Sequence, residues 1–204
     1  MHMEKLMNII RNIGLALVLL ATVEPATAIE RLGYQTLGKL DDIEIRHYEA
    51  HLLASVRVRG DFKSASYNAF RPLFNFISGD NSAAQEIAMT APVLQTPDTT
   101  KDSWVVSFVM PRSFDLTNIP APSSDIVAVV ANPATTMAVV EYRGGWGREL
   151  YAEHEAQLLT ALDESAFRPC GEPLWARHNS PMTPWFLRKN EVLVPVCGRD
   201  TAAR

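Results

Sequence analysis

Between residues 42 and 58 the chain reads DIEIRHYEAHLLASVRV, a partial alternation of apolar and polar positions rich in β-branched and aromatic residues. A period of two sends alternate side chains to opposite faces of a strand. The stretch predicts one long strand with a break, or two short strands, around Glu49-Ala50. The period then changes. Gly60-Asp61 is a helix entry with Asp61 as N-cap, and residues 62–77 run at helical spacing until Ser78-Gly79-Asp80-Asn81. At 100° per residue, Phe62, Ala65, Ala69, Leu73 and Phe76 form one apolar stripe. Tyr67, Phe70, Phe74 and Ile77 form a second stripe, rotated from the first. One core face needs only the first. The second is either covered by loops or the wall of a pocket. Pro72 removes one helical hydrogen bond and predicts a kink.

Further strands are expected at residues 87–94, 104–110, 126–130, 137–142, 174–177 and 191–196, with a Pro-rich connection over 111–125. A second helix is expected at 148–165, with Leu150, His154, Leu158, Ala161 and Leu162 on one face. The order repeats: VRVRG then helix, and VVEYRGG then helix. Met89-Thr90-Ala91-Pro92 has a loose echo in Pro181-Met182-Thr183-Pro184. This weak duplication predicts an α+β domain with pseudo-twofold symmetry, a curved antiparallel sheet and two helices.

The start of the chain has a different character. Lys5 and Arg11 precede an uncharged apolar run at 13–23, and Ala26-Thr27-Ala28 places small residues where a signal peptidase reads. This layout predicts a cleaved secretory signal at 1–28 and one domain at 29–204, periplasmic or secreted; the alternative is an uncleaved anchor. Cleavage removes Lys5, Arg11, Glu4 and Glu24, so the net charge stays at -4. A mildly acidic chain without a basic run argues against nucleic acid as partner. No later apolar stretch reaches membrane length. Cys170 and Cys197 are either one disulfide or two free thiols. A bridge between them would contribute about 4 kcal/mol in the chain-entropy model.

Taken together, Glu44-Ile45-Arg46-His47-Tyr48, Met89-Thr90-Ala91-Pro92-Val93 and Arg188-Lys189-Asn190-Glu191-Val192 resemble the SOUL family of heme-binding proteins. Val109-Met110-Pro111, Pro120-Ala121-Pro122 and the 179–184 segment add to the likeness, which covers nearly the whole chain after residue 28. The resemblance implies a distorted antiparallel β-barrel of two pseudo-symmetric halves, each with one helix packed on the sheet, akin to effector-binding domains of some bacterial transcription regulators. It also implies binding of heme or another tetrapyrrole in an apolar cleft formed by the first helix and the loop before the last strand. On that pattern Tyr67, Phe70 and Phe74 are the cleft-facing side of the helix, and Met182 belongs to the loop.

Heme iron is usually held by His, Cys, Met or Tyr. His47 matches a strand histidine proposed as axial ligand in part of the family, and His178, where family members commonly carry tyrosine, is an alternative ligand. His47 and His51 would lie roughly 13 Å apart on one strand, too far to share a metal. Arg177, Arg188, Lys189 and Lys63 are candidate partners for propionates. Glu191 reads as a buried structural acid, for instance one anchoring Arg188. No catalytic residues are assigned: the chain has no Gly-x-Ser-x-Gly elbow, His-Glu-x-x-His or phosphate loop. A module for another amphipathic small molecule or a protein partner is the second reading.

Overall fold

A computed structural model describes residues 29–198. The signal segment expected at 1–28 lies outside them. The predicted break at Glu49-Ala50 separates two strands, β3 (Ile43–Tyr48) and β4 (His51–Arg59). Before them lie a two-residue strand β1 (Glu30–Arg31) and an exposed edge strand β2 (Gln35–Leu40). Helix α1 (Phe62–Ile77) follows, capped by Asp61, whose carboxylate accepts from the backbone N–H groups of Lys63 and Ser64. It runs through Pro72 without ending. Then come β5 (Thr90–Ala91), β6 (Val93–Pro97), β7 (Ser103–Val109), β8 (Val127–Asn132) and β9 (Thr135–Arg143). Helix α2 (Arg148–Asp163), β10 (Phe167–Pro169), β11 (Leu174–Arg177), a 3-10 turn (Trp185–Leu187) and β12 (Lys189–Gly198) complete the order.

One antiparallel sheet runs β2-β3-β9-β12-β11-β6-β7-β4-β8, with β10 paired to β12. Outward from the central β11–β6 pair, one half reads β11-β12-β9-β3 and the other β6-β7-β4-β8. Each half is thus strand, helix and two strands, joined by a strand donated from the other half: β3 pairs with β9, and β8 with β4. The duplication read from VRVRG and VVEYRGG is structural. Gly60 and Gly144 occupy equivalent turns at φ of 129° and 147°, in the region that favours glycine. Each turn is held the same way, by a side-chain donor on its carbonyl: Trp104 Nε1 on Gly60 and Asn190 Nδ2 on Gly144.

Three expectations are corrected. The sheet is not closed into a barrel: β2 and β8 are its free ends, and no ladder joins them among the described residues. Residues 87–94 are not one strand. Thr90–Ala91 pairs in parallel with Glu30–Arg31, and β6 starts only after the cis Ala91–Pro92 bond. Pro181-Met182-Thr183-Pro184 follows β11, whereas its presumed counterpart precedes β6, so the two motifs are not equivalent in the fold.

Both helices cover the same face of the sheet. Phe62, Ala65, Ala69, Leu73 and Phe76 are buried there, as the first stripe predicted. Phe62 meets Trp104, Tyr151 and Trp175 edge-on, with ring centroids 5.3 to 5.4 Å apart. On α2 the buried face centres on Tyr151, Leu158 and Leu162; Leu150, His154 and Ala161 sit at its margin. His154 stacks on Tyr142 at 4.1 Å. The opposite face of the sheet carries a smaller cluster that includes Tyr48, Leu53, Leu94, Met137 and Leu193. These come from strands near both ends of the sheet, so the sheet curls around them.

Cys170 and Cys197 form a disulfide across 27 residues. It links the segment after β10 to the end of β12. Replacing both cysteines with alanine should lower unfolding stability by about 3 to 4 kcal/mol on loop entropy alone, measured by urea denaturation. A variant as stable as the parent would show that the bridge adds nothing to the folded chain.

Candidate functional site

The motifs around residues 44–48 and 188–192 are far apart in sequence and meet in space. β3 and β12 flank β9 on either side. Arg46, 3 % exposed, donates from Nη1 to Glu191 Oε1 at 2.9 Å and from Nε to Glu44 Oε2 at 2.7 Å. Its guanidinium lies 4.0 Å from the centre of the Tyr34 ring and 3.3 Å from the Tyr48 hydroxyl. Glu191 also takes Lys189 Nζ at 3.1 Å on Oε1 and His178 Nε2 at 2.7 Å on Oε2. The carboxylate is therefore buried and paired, with Arg46, His178 and Lys189 as its partners in place of the expected Arg188. Arg188 instead donates to the carbonyls of Thr183 and Pro181 and lies 4.2 Å from the centre of the Trp146 ring.

Burial by itself would raise the pKa of Glu191. The His178 hydrogen bond and the Arg46 charge outweigh it and pull the group down to about 2. Burial works to lower Arg46, yet the contacts with Glu191 and Tyr48 hold it well above the ordinary guanidinium value. Tyr48 is pushed up, chiefly by burial.

Two adjoining cavities lie next to this network. The smaller, about 30 Å³, is lined by Tyr48, Pro92, Leu94, His178 and Glu191 among others. The larger, about 410 Å³, lies between the β3–β4 turn, the 109–114 segment and the N-terminal strap at 30–35. Leu32, Tyr34 and His51 are in the walls of both. The Met-Thr-Ala-Pro-Val run contributes Thr90 to one wall and Pro92 to the other. Thr90 is fixed by donating to the Val109 carbonyl, and Met89 is not in either wall.

The predicted site residues fall into separate groups. His47, at the end of β3, lines the larger cavity with its side chain 32 % exposed. Its Nδ1 is 3.4 Å from Thr136 Oγ1, and its Nε2 is 3.9 Å from Glu49. His51 lines the same cavity from β4. His178 lines only the smaller cavity, with Nε2 engaged by Glu191. Tyr67, Phe70 and Phe74 are in neither wall. They are on the outward side of α1, with Tyr67 83 % exposed and Phe70 stacked on Phe74 at 5.8 Å. Phe70 also packs edge-on against Phe108, and Ile77 joins the core. Met182 is 90 % exposed, followed by exposed Trp185, Phe186 and Leu187. The loop that carries them starts beside α1, because Arg177 hydrogen-bonds Ser66 of the helix and Gln95 of β6. Of the other candidate cations, Lys189 is taken by Glu141 and Glu191, and Lys63 is exposed. No group of three or more His, Cys, Asp or Glu is placed to hold a metal ion among the described residues. The sequence reading missed Tyr34 and Arg46. Tyr34 gave no signal in a strap without periodicity. Arg46 did stand in the quoted motif, but its partner lies 145 residues away.

Comparison with known proteins decides the family. The model of the SOUL heme-binding protein family matches residues 29–195. The chain belongs to the SOUL family. That makes heme the candidate ligand of this member. Comparison with curated proteins gives no significant match. Among solved structures, the C-terminal domain of EcmrR superposes with a TM-score of 0.61 at 14 % identity, covering 81 % of this chain and 99 % of that one. EcmrR in its DNA-bound transcription complex gives 0.60 at 12 %, covering 96 % and 69 %. A hydrolase from Listeria innocua gives 0.54 at 10 %, covering 76 % and 92 %. At these identities the likeness is one of fold.

The charge network has a measurable consequence. A carboxyl whose pKa is 4.5 when unfolded and about 2 when folded stabilises the fold fully above the first value. That contribution is lost as pH falls through the second. The shift corresponds to about 3 kcal/mol. The unfolding free energy of the SOUL protein should therefore drop between pH 5 and pH 2 by more than that of Glu191→Gln, which should itself be less stable at pH 7 by about 3 to 5 kcal/mol. Parallel pH profiles for the two proteins would show that Glu191 is not held as described.

Proposed function

We propose that this SOUL protein binds heme or a related tetrapyrrole, as a carrier, buffer or scavenger, on the apolar surface made by α1 and the loop before β12. The observation that carries the reading is the exposure of large apolar side chains at both places. Tyr67 and Phe74 stand out from the helix, and Met182, Trp185, Phe186 and Leu187 from the loop. A folded chain seldom leaves so many large apolar groups uncovered without a use for them. The parallel Phe70 and Phe74 rings suit the flat face of a macrocycle. Lys63 and Arg71, on the same helix, are exposed cations for propionates.

Capture by apolar contact, without an axial histidine, fits this chain best. His178 has its outer ring nitrogen committed to Glu191 beside a cavity too small for a macrocycle. His47 lines the larger cavity rather than the helix surface. We assign the protein no catalysis and no nucleic-acid partner, in keeping with its acidic balance and the absence of recognisable catalytic motifs. The Cys170–Cys197 bridge supports an oxidising compartment, and the N-terminal sequence supports export to the periplasm or beyond. Among the described residues no helix is long and apolar enough to cross a membrane. The 410 Å³ cavity favours a second reading, an amphipathic small molecule other than heme.

Hemin titration followed in the Soret region tests the proposal. Saturable one-to-one binding is expected, unchanged in His47→Ala and weakened about 10- to 100-fold in Phe74→Glu. Saturable binding with full affinity in Phe74→Glu would move the site away from α1. A band lost or shifted in His47→Ala would make that histidine the iron ligand. Drift without saturation would remove heme as the ligand.

A further inference from the structure

The loop between β11 and β12, residues 178–188, stands at one end of the sheet beside the turn that follows β9. Gly144 donates its backbone N–H to the Arg188 carbonyl, and Arg143 Nη1 reaches the Leu187 carbonyl at 3.4 Å. The loop carries Met182, Trp185, Phe186 and Leu187, which are between 51 and 90 % exposed. The last three form a single 3-10 turn. Such a turn sends successive side chains in three directions about 120° apart, so no one surface of the protein could bury all of them.

Their exposure is held in place. Arg188 donates from Nε to the Thr183 carbonyl and from Nη2 to the Pro181 carbonyl, each at 2.8 Å. The backbone N–H of Lys189 donates to Asn179 Oδ1 at 2.7 Å, and that of Leu187 to the Pro184 carbonyl at 2.9 Å. A loop fixed in this way keeps its apolar tip outward and loses little freedom when something covers it.

Charge points to what covers it. The chain carries a net charge of -4, yet residues 142–148 and 178–188 contain no Asp or Glu. Arg143 and Arg188 meet carbonyls and the Trp146 ring, and neither has an ion-pair partner among the described residues. The acids of the neighbouring strands are already taken: Glu141 by Lys189, and Glu191 by Arg46, His178 and Lys189. Arg148 and Glu149, at the start of α2, cancel in charge. Two arginines therefore stand as net positive charge behind an apolar tip. That pairing matches the boundary of an anionic bilayer, where aromatic rings settle among the headgroups and guanidinium groups meet phosphates. A protein partner fits less well, because a stable interface takes about 20 to 30 residues a side, more than this hairpin tip offers.

We infer that the 178–188 loop docks the protein on an anionic lipid surface. Met182, Trp185, Phe186 and Leu187 enter the headgroup region, and Arg143 and Arg188 face the phosphates. The docking shares the loop with the tetrapyrrole reading and does not rest on it.

The test uses vesicles of phosphatidylcholine, alone or with about one-third phosphatidylglycerol, in the absence of hemin. Docking of the purified protein is followed by tryptophan emission and by quenching with lipids brominated on their acyl chains. Residues 1–28 contain no tryptophan, and Trp104 and Trp175 are buried, so the exposed Trp185 is the reporter. Its emission should shift to the blue and be quenched, and Trp185→Phe should erase the signal. Binding should be at least about 10-fold tighter to the anionic vesicles and be lost at high salt. Arg143→Gln should weaken it about 5-fold. Phe186→Ser with Leu187→Ser, which keeps the reporter, should weaken it at least about 10-fold. Phe74→Glu, on α1, should dock as the unaltered protein does, so this proposal and the hemin proposal can fail separately. No response to either vesicle, an equal response to both, or a signal that survives Trp185→Phe would overturn the inference. So would undiminished docking in the double serine variant, or docking lost in Phe74→Glu. Self-association that the double serine variant removes, in place of vesicle binding, would make the tip an interface between copies instead.

Discussion

The Arg46–Glu191 pair is the contact on which the rest of this arrangement depends. It reaches across β9 and joins β3 to the last strand, β12. Both groups are almost wholly buried, so each would carry a heavy desolvation cost alone. Together, with Glu44, Lys189, Tyr48 and His178 completing their hydrogen bonds, they are satisfied. The pair also orients what surrounds it. Arg46 supports the Tyr34 ring and so the strap, and Glu191 fixes the His178 ring beside the smaller cavity.

A curled sheet with both helices on one face has two unlike surfaces to offer. The covered face is filled by Phe62, Trp104, Tyr151 and Trp175 and leaves little space. Packing is incomplete at two places. One is the outward side of α1, whose apolar content exceeds what its buried stripe uses. The other is the uncovered face near the β3–β4 turn, where the sheet does not close and the strap forms part of the wall. An open sheet is what permits this: a closed ladder between β2 and β8 would leave less freedom for a wall of loop and strap.

Much of this was readable along the chain, for local reasons. The α1 boundaries came from Asp61 as cap and from helical spacing, and both depend on neighbours within a few residues. The repeated Arg-Gly ends of β4 and β9 announced the duplication because the same turn needs glycine at the same φ. The three family motifs were legible as patterns. Their purpose was not. That Arg46 and Glu191 belong to one network depends on β9 lying between their strands, and no period in either segment encodes a distance of 145 residues. The same holds for His178, whose environment is made by Glu191 from another strand and Pro92 from the other half.

The sequence by itself determined both helices, most of the longer strands, the two-helix α+β plan and the excess apolar face of α1, because each rests on spacing and composition within a segment; the family was legible as a resemblance in three motifs. Tertiary structure alone decided that the sheet stays open and that Cys170 meets Cys197. It also decided that the predicted site residues divide between a helix surface and a pair of cavities. Those outcomes depend on how strands from distant parts of the chain are ordered and curved, a property of the assembled sheet and of no segment within it.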